Sequence, residues 1–155
     1  MFRLGDFYEL FYEDAVTAGE DVLELIGRWR AGAGGLWRVA NASGVGIIKP
    51  VESLTEEDLL QSLQVNLVAP FKLLKAFLPA MKVAKKGLII NIPGVLGKAP
   101  MAGAAAYSAS KYGLVGMMQS IREEIKRTDI RITNVFMGGV NSGFWDTIDL
   151  RVQRE

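Results

Sequence analysis

The chain of 155 residues contains neither cysteine nor histidine. Without cysteine it forms no disulfide and no thiolate metal site, and without histidine it lacks the commonest base and metal ligand. Acid–base chemistry must therefore come from tyrosine, lysine, aspartate or glutamate. The formal net charge is only +1, so charge gives no reason to expect nucleic acid or an anionic membrane as partner.

Long apolar runs are absent as well. No stretch reaches the roughly 20 apolar residues that cross a membrane, and no signal peptide is recognisable at the start. Half of the residues are hydrophobic and 23% are charged, a balance typical of a folded domain. We therefore expect one domain over residues 1–155, cytoplasmic and without a membrane partner.

The sequence that remains alternates strand-like and helical patterns. A helix is predicted over residues 13–30, and another from the acidic start at 53–58 to about Lys86, with Gly87 as its terminating glycine and Pro79 expected to close it early. A third helix runs through Tyr107 to a charged tail. The predicted strands are Leu36–Ala40, Leu88–Ile92 and Ile130–Phe136. This alternation predicts an α/β fold, a short parallel sheet with flanking helices.

Tyr107 and Lys111 are the residues most suggestive of chemistry. Four residues apart in a helix, their side chains share one face. An ammonium beside a phenol is expected to lower the phenol pKa below about 10. Such a tyrosine exchanges a proton with an alcohol or carbonyl near neutral pH. From the spacing alone, an ordinary solvated helix face that carries a tyrosine and a lysine is the favoured interpretation.

Other features are expected at the same place. The ends of the three strands, Asn41–Gly46, Asn91–Gly97 and Met137–Ser142, should meet at one sheet edge, where ligands bind in parallel α/β folds. Asn66 lies in a helical run, and Pro70 four residues later has no N–H to bond its carbonyl. That carbonyl is expected to hold a water or an ammonium, although a tolerated kink explains the pattern too.

From about residue 36 to 146 the chain resembles the C-terminal two-thirds of a short-chain dehydrogenase/reductase. The residues that carry the resemblance are Asn41–Gly46, Val65–Leu67, Ile89–Ile92, Tyr107–Lys111 and Ile132–Val135.

The resemblance implies a Rossmann-like fold and hydride transfer between NAD or NADP and an alcohol or carbonyl substrate. It implies that Tyr107 exchanges the proton, that Lys111 holds the nicotinamide ribose and lowers the tyrosine pKa, and that Asn66 anchors a relay water. The same motifs imply that Tyr107 and Lys111 both contact the cofactor, together with Asn41, Gly44, Gly138, Val140 and Ser142.

Two parts of the family pattern are not found. Gly94 stands where the family has its catalytic serine, thirteen residues before Tyr107. The glycine-rich phosphate-binding turn that opens the family is also missing, because only 40 residues precede Asn41 and Gly32-x-Gly34-Gly35 lacks the G-x-G-x-x-G spacing. We therefore expect a truncated Rossmann-like domain without its N-terminal nucleotide-binding half.

Residues 2–27 resemble instead the N-terminal segment of MutS-type mismatch-repair proteins. Phe7 and Glu9 occupy the positions that in that family contact a mismatched base. One stacked aromatic contributes only about 1–3 kcal/mol per base, so nucleic acid is an unlikely partner. The preferred interpretation is that residues 1–35 supply one atypical β-α unit to the sheet.

Three functional hypotheses follow from the sequence. The first is an oxidoreductase of the short-chain dehydrogenase/reductase type. The second is a non-catalytic remnant or interaction module on the same scaffold. The third and weakest is a DNA-contacting module that uses Phe7 and Glu9. For the first two, the resemblance to the short-chain dehydrogenase/reductase family implies a homo-oligomer formed through the long helices that contain Asn66 and Tyr107.

Overall fold

The structure, a computed structural model, describes residues 2–4, 7–9, 38–41 and 44–139. The strands are β1 Phe2–Leu4, β2 Phe7–Glu9, β3 Arg38–Asn41, β4 Lys86–Asn91 and β5 Asp129–Asn134. The helices are α1 Glu56–Leu63, α2 Ala69–Ala84 and α3 Ala105–Ile125, and a π-helical turn, Gln64–Val68, joins α1 to α2. The helix predicted over residues 13–30 lies outside the described residues.

The sheet β3–β4–β5 is parallel, as predicted, with β4 in the centre. Its register aligns Asn41 with Asn91, and Asn91 with Asn134. The three strands therefore end level with one another, which confirms that the loops after them start at one edge. β4 begins two residues before the predicted strand, and β5 ends two residues before its predicted end.

One apolar core joins this sheet to α2 and α3. All three strands and both helices contribute side chains that are almost completely removed from water, each worth about 1.5–3 kcal/mol on burial. The buried members are Val39, Leu74, Met81, Ile89, Leu114, Met118, Ile125, Ile130 and Ile132. Because α3 packs on the sheet, the start of α3 is fixed beside the strand ends.

The start of α1 has the predicted capping chemistry. Thr55 is the N-cap, its side chain accepts from the Asp58 N–H, and the Asp58 carboxylate accepts from the Thr55 N–H. Lys49 lies 2.8 Å from the same carboxylate. Hydrogen bonding to the Lys49 side chain lowers the pKa of Asp58 to about 2. The backbone N–H of Lys49 donates to the Gly103 carbonyl at 2.8 Å. The loop after β3 is thus tied to both α1 and the loop before α3.

Two expectations about the end of α2 are wrong. The helix runs through Pro79 to Ala84. Pro79 and Lys75, whose carbonyl loses its helical partner, are both exposed, so water can satisfy that carbonyl. The terminating residue is Lys85, in the left-handed region at φ 53°. Gly87 lies instead in β4, where an added Cβ would come within 2.6 Å of the Met81 sulfur.

At the N-terminus, β1 and β2 pair with each other in antiparallel fashion, and β2 lies alongside β3. The expected strand-forming tendency on both sides of Gly5-Asp6 is confirmed. Within the described residues these strands form a two-stranded sheet of their own, and the expectation that residues 1–35 supply a β-α unit to the main sheet stays a prediction. Phe7 and Glu9 lie in β2, and their proposed contact with DNA stays a prediction.

Candidate active site

Helix α3 places Tyr107 and Lys111 on the same face, as their spacing predicts. The Lys111 ammonium lies 5.5 Å from the centroid of the Tyr107 ring. Lys111 is only 2% exposed, whereas Tyr107 is half-buried. The alternative of a solvated helix face is therefore wrong, because the Lys111 side chain is almost completely removed from water.

The Lys111 side chain reaches from α3 to the loop that follows β3. A Cβ added to Gly44 would lie 3.0 Å from the Lys111 nitrogen and 3.4 Å from the Asn66 side-chain oxygen. A larger residue at position 44 would therefore crowd the ammonium. The structure thus brings Gly44, Asn66 and Lys111 together at the sheet edge, as predicted.

Asn66 lies in the π-helical turn that precedes α2. The Ala69 N–H donates to the carbonyl of Gln64, five residues earlier, and Pro70 has no N–H to give to the Asn66 carbonyl. The predicted interruption of the helix at Pro70 is thereby confirmed. π-Helical turns inside helices are frequent at functional sites.

The side chain of Asn66 has a role that the sequence did not predict. Its oxygen accepts the Val45 N–H at 2.8 Å, and its NH₂ donates to the Val45 carbonyl at 3.0 Å and to the Ser110 hydroxyl at 2.9 Å. The Ser110 hydroxyl in turn donates to the Tyr107 carbonyl at 2.7 Å. Asn66 therefore fixes α3 relative to the loop after β3. Sequence spacing does not predict this role, because the role depends on the full burial of the Asn66 side chain.

The pKa values of the pair correct one expectation. Burial raises the pKa of Tyr107 to about 12, so the prediction that the neighbouring ammonium lowers this pKa is wrong. Burial also lowers the pKa of Lys111 from 10.5 to about 8. Both shifts have the same cause: burial removes water from the side chain, which disfavours the charged form of each group. At neutral pH the phenol is protonated and the lysine is charged.

Gly94 lies next to the tyrosine, as the position of the family's serine implies. A Cβ on Gly94 would be 4.0 Å from the Tyr107 hydroxyl and 3.7 Å from the Met137 carbonyl oxygen. Its backbone has φ 72° and ψ 172°, a combination that is essentially restricted to glycine. A serine in this conformation would be strained by about 1–3 kcal/mol.

The remaining predicted cofactor residues divide into three groups. Asn41 is buried at the end of β3, directly before the Gly44 loop. Gly138 is exposed, and no described atom lies within 4 Å of where its Cβ would be. Val140 and Ser142 lie outside the described residues.

A parallel sheet whose strand ends face a helix-borne tyrosine–lysine pair defines a Rossmann-like α/β domain. The family model for short chain dehydrogenase matches residues 7–152, a span that begins well before the predicted resemblance. The chain belongs to the short-chain dehydrogenase family.

Curated relatives agree with this assignment. The chain is 36% identical over 99 residues to a short-chain dehydrogenase/reductase of Penicillium canescens, covering 64% of this chain and 38% of the relative. It is 35% identical over 127 residues to an uncharacterized oxidoreductase of Myxococcus xanthus, covering 82% and 50%. The chain thus spans at most about half the length of these relatives.

Solved structures show the same fold. A metagenomic short-chain oxidoreductase in complex with NADP has 33% identity and a TM-score of 0.72, covering 86% of this chain and 72% of that one. A 4-hydroxyisoleucine dehydrogenase complexed with NADH and succinate has 29% identity and a TM-score of 0.70, covering 79% and 60%. Within the described residues, no helix is long and apolar enough to span a membrane.

Replacing Lys111 by methionine tests the cost of burying its charge. The folded chain holds the lysine proton up to about pH 8, whereas the unfolded chain holds it up to about 10.5. The wild type is therefore destabilised by about 3 kcal/mol below pH 8, and this cost disappears as the pH rises from 8 to 10.5. We therefore expect Lys111→Met to be about 1–3 kcal/mol more stable near pH 7.

Urea denaturation at several pH values measures this difference. The advantage of Lys111→Met should shrink towards zero above pH 10, and the exposed Lys75→Met control should show no such trend. A Lys111→Met variant that is less stable than wild type at pH 7 would contradict the assignment.

Proposed function

We propose that the chain acts as an NAD(P)-dependent oxidoreductase on an alcohol or carbonyl substrate, through Tyr107, Lys111 and Asn66. The observation that carries the proposal is the burial of the Lys111 ammonium between Tyr107 and the loop at Gly44. Burying a lysine charge is costly unless the charge is paired and hydrogen-bonded, and titratable groups with perturbed pKa values concentrate at functional sites.

The residues at the sheet edge fit a nicotinamide nucleotide. The absence of a side chain at Gly44 keeps the approach to the Lys111 nitrogen open, and a charged ammonium donates well to ribose hydroxyls. Asn41, Gly44 and Lys111 would hold the nucleotide, with Gly138, Val140 and Ser142 added by the family pattern. When bound, the nicotinamide supplies or receives the hydride. Relatives solved with NADP or NADH support this choice.

Tyr107 fits the role of proton donor in carbonyl reduction. With a pKa of about 12, its hydroxyl is protonated at neutral pH and available to donate to a carbonyl oxygen. Lys111, charged below about pH 8, favours the phenolate that remains after the proton has left. Asn66 holds α3 in place through Ser110, and its own carbonyl, without an N–H from Pro70, is suited to bind a relay water.

A non-catalytic interaction module on the same scaffold is the second hypothesis. The glycine-only backbone at Gly94 favours it, because the family's serine hydroxyl is lost there. It predicts the same fold without saturable binding of NADH or NADPH.

A cofactor titration combined with Tyr107→Phe separates the two. We expect NADH or NADPH to bind saturably, and Tyr107→Phe to lower turnover about 10²- to 10⁴-fold with affinity largely unchanged, because only the proton is removed. Nucleotide fluorescence measures binding and absorbance measures turnover. Tyr112→Phe, on the exposed side of the same helix, is the matched control. Absence of saturable binding up to millimolar nucleotide would refute the enzyme hypothesis.

We also propose that the chain forms a homo-oligomer through its helices. Phe71 on α2 is 48% exposed and Tyr112 on α3 is 44% exposed, and Leu60 on α1 is exposed as well. Large apolar side chains on neighbouring helices favour association.

Sedimentation velocity tests the oligomer. We expect wild type to sediment as a dimer or larger species and Phe71→Glu to shift it towards monomer, because a buried carboxylate without a partner is costly. Val83→Glu, at a position 87% exposed near the end of α2, should leave the size unchanged. A wild-type monomer throughout the micromolar range would rule out the proposal.

A further inference from the structure

The loop that follows β3 is held in place at two points. At the first, Val45 exchanges two hydrogen bonds with the Asn66 side chain. At the second, four residues further along the chain, Lys49 bonds two other parts of the protein. Gly44, whose missing side chain leaves room for the Lys111 ammonium, comes directly before the first point. The way in which the loop covers Lys111 therefore depends on both points.

Lys49 forms the second point with its side chain and its backbone together. Its ammonium lies 2.9 Å and 2.8 Å from the two carboxylate oxygens of Asp58, in the first turn of α1. Its backbone N–H donates at 2.8 Å to the carbonyl of Gly103, two residues before α3 begins. One residue thus joins the loop after β3 to the start of α1 and to the start of the helix that carries Tyr107 and Lys111.

Asp58 offers Lys49 a partner that is itself held by α1. Its carboxylate also accepts the Thr55 backbone N–H at 3.0 Å, and its own backbone N–H donates to the Thr55 hydroxyl at 3.1 Å. Its pKa of about 2 keeps the carboxylate charged throughout the neutral range. Since the carboxylate is fixed to the helix end, the ion pair restrains the loop that carries Lys49.

Resting on the proposed function, we propose that Lys49 is a positioning residue, which holds the loop at Gly44 against Lys111 so that a nicotinamide nucleotide meets a preformed surface. A loop that is ordered before the ligand arrives loses less conformational entropy on binding, and the ligand binds more tightly. A half-exposed ion pair adds little to the stability of the fold. Its loss therefore acts on the order of the loop and on nucleotide affinity.

Amide exchange in the unliganded chain tests the hold on the loop. Lys49→Met and Asp58→Asn should each speed exchange of the Val45 N–H about two- to fivefold, the range that a half-exposed ion pair allows. An asparagine still accepts the Thr55 N–H, so the start of α1 is kept. Should a variant not fold, wild type in about 1 M NaCl takes its place, because salt screens such a pair. Unchanged exchange would overturn the inference.

Titration of Lys111 adds a result whose sign separates loop release from simple charge effects. Loss of the Asp58 charge would by itself lower the pKa of Lys111, because an anion favours the ammonium. Release of the loop lets water reach the ammonium, which raises that pKa from about 8 towards 10.5. We therefore expect Asp58→Asn to raise the pKa of Lys111, followed by NMR of labelled lysine. A value that falls or stays the same would contradict the inference.

Lys82→Met is the matched control. The Lys82 side chain is 43% exposed and that of Lys49 is 45% exposed, and Lys82 pairs with Glu124 at 3.1 Å. This pair lies near the end of α2, at the sheet edge where β4 begins. The control should leave Val45 exchange and the pKa of Lys111 unchanged, and Lys49→Arg, which keeps the charge, should behave as wild type. Equal effects of Lys82→Met and Lys49→Met would refute the positioning role.

Nucleotide binding connects the loop to the proposed function. Lys49→Met and Asp58→Asn should each weaken binding of NADH or NADPH about two- to fivefold. The double variant should weaken it no further, because both changes remove the same pair. At saturating nucleotide kcat should stay near wild type, since the proton donor is untouched. Faster loop exchange with unchanged affinity would overturn the positioning role.

Failure of the proposed function gives a different result. If wild type binds neither nucleotide, the proposed function fails. The hold of Lys49 on the loop is then still decided by the exchange of Val45 and the titration of Lys111, because both are measured without nucleotide.

Discussion

The burial of the Lys111 ammonium is the constraint on which the rest of the site depends. A lysine that is 2% exposed has given up nearly all of its hydration, and this loss lowers its pKa to about 8. The folding free energy of the rest of the chain must exceed that cost. The ammonium lies between Gly44, which has no side chain, and a tyrosine ring whose centroid is 5.5 Å away, on a helix that is held in one position.

The helix is held by a chain of hydrogen bonds that begins at a local defect. The π-helical turn before Pro70 places the Asn66 side chain in the interior, where it bonds both backbone groups of Val45 and the hydroxyl of Ser110. Ser110 continues the connection to the Tyr107 carbonyl. The loop after β3, the turn before α2 and the start of α3 consequently form one unit. The position of Lys111 therefore depends on the hydrogen bonds that hold α3 in place, in addition to the packing of its own side chain.

The parts of this arrangement that depend on spacing were predictable from the sequence. The period of a helix places Tyr107 and Lys111 on one face, the alternation of strands and helices gives the parallel sheet, and the missing N–H of Pro70 identifies the interruption at Asn66. The parts that depend on burial were not. The Tyr107 pKa rises instead of falling because dehydration outweighs the nearby charge. Pro79 does not end α2 because that side of the helix faces water.

Two further residues show the same limit. Gly87 reads as a helix terminator, yet it is required by the closeness of Met81, a contact between elements that no local pattern contains. At Gly94 the sequence shows the lost serine, whereas only the backbone angles show that this loop conformation belongs to glycine. A tertiary contact explains the glycine at position 87 and the backbone angles of a loop explain the one at position 94, and a local sequence pattern contains neither.

The pKa of Lys111 can be measured directly by following the side-chain NMR signals of isotopically labelled lysine as a function of pH, with Lys111→Met to assign the resonance. A signal that titrates near pH 8, clearly below 10.5, is the result that a buried ammonium beside Tyr107 predicts. A Lys111 signal that titrates near 10.5 would contradict it.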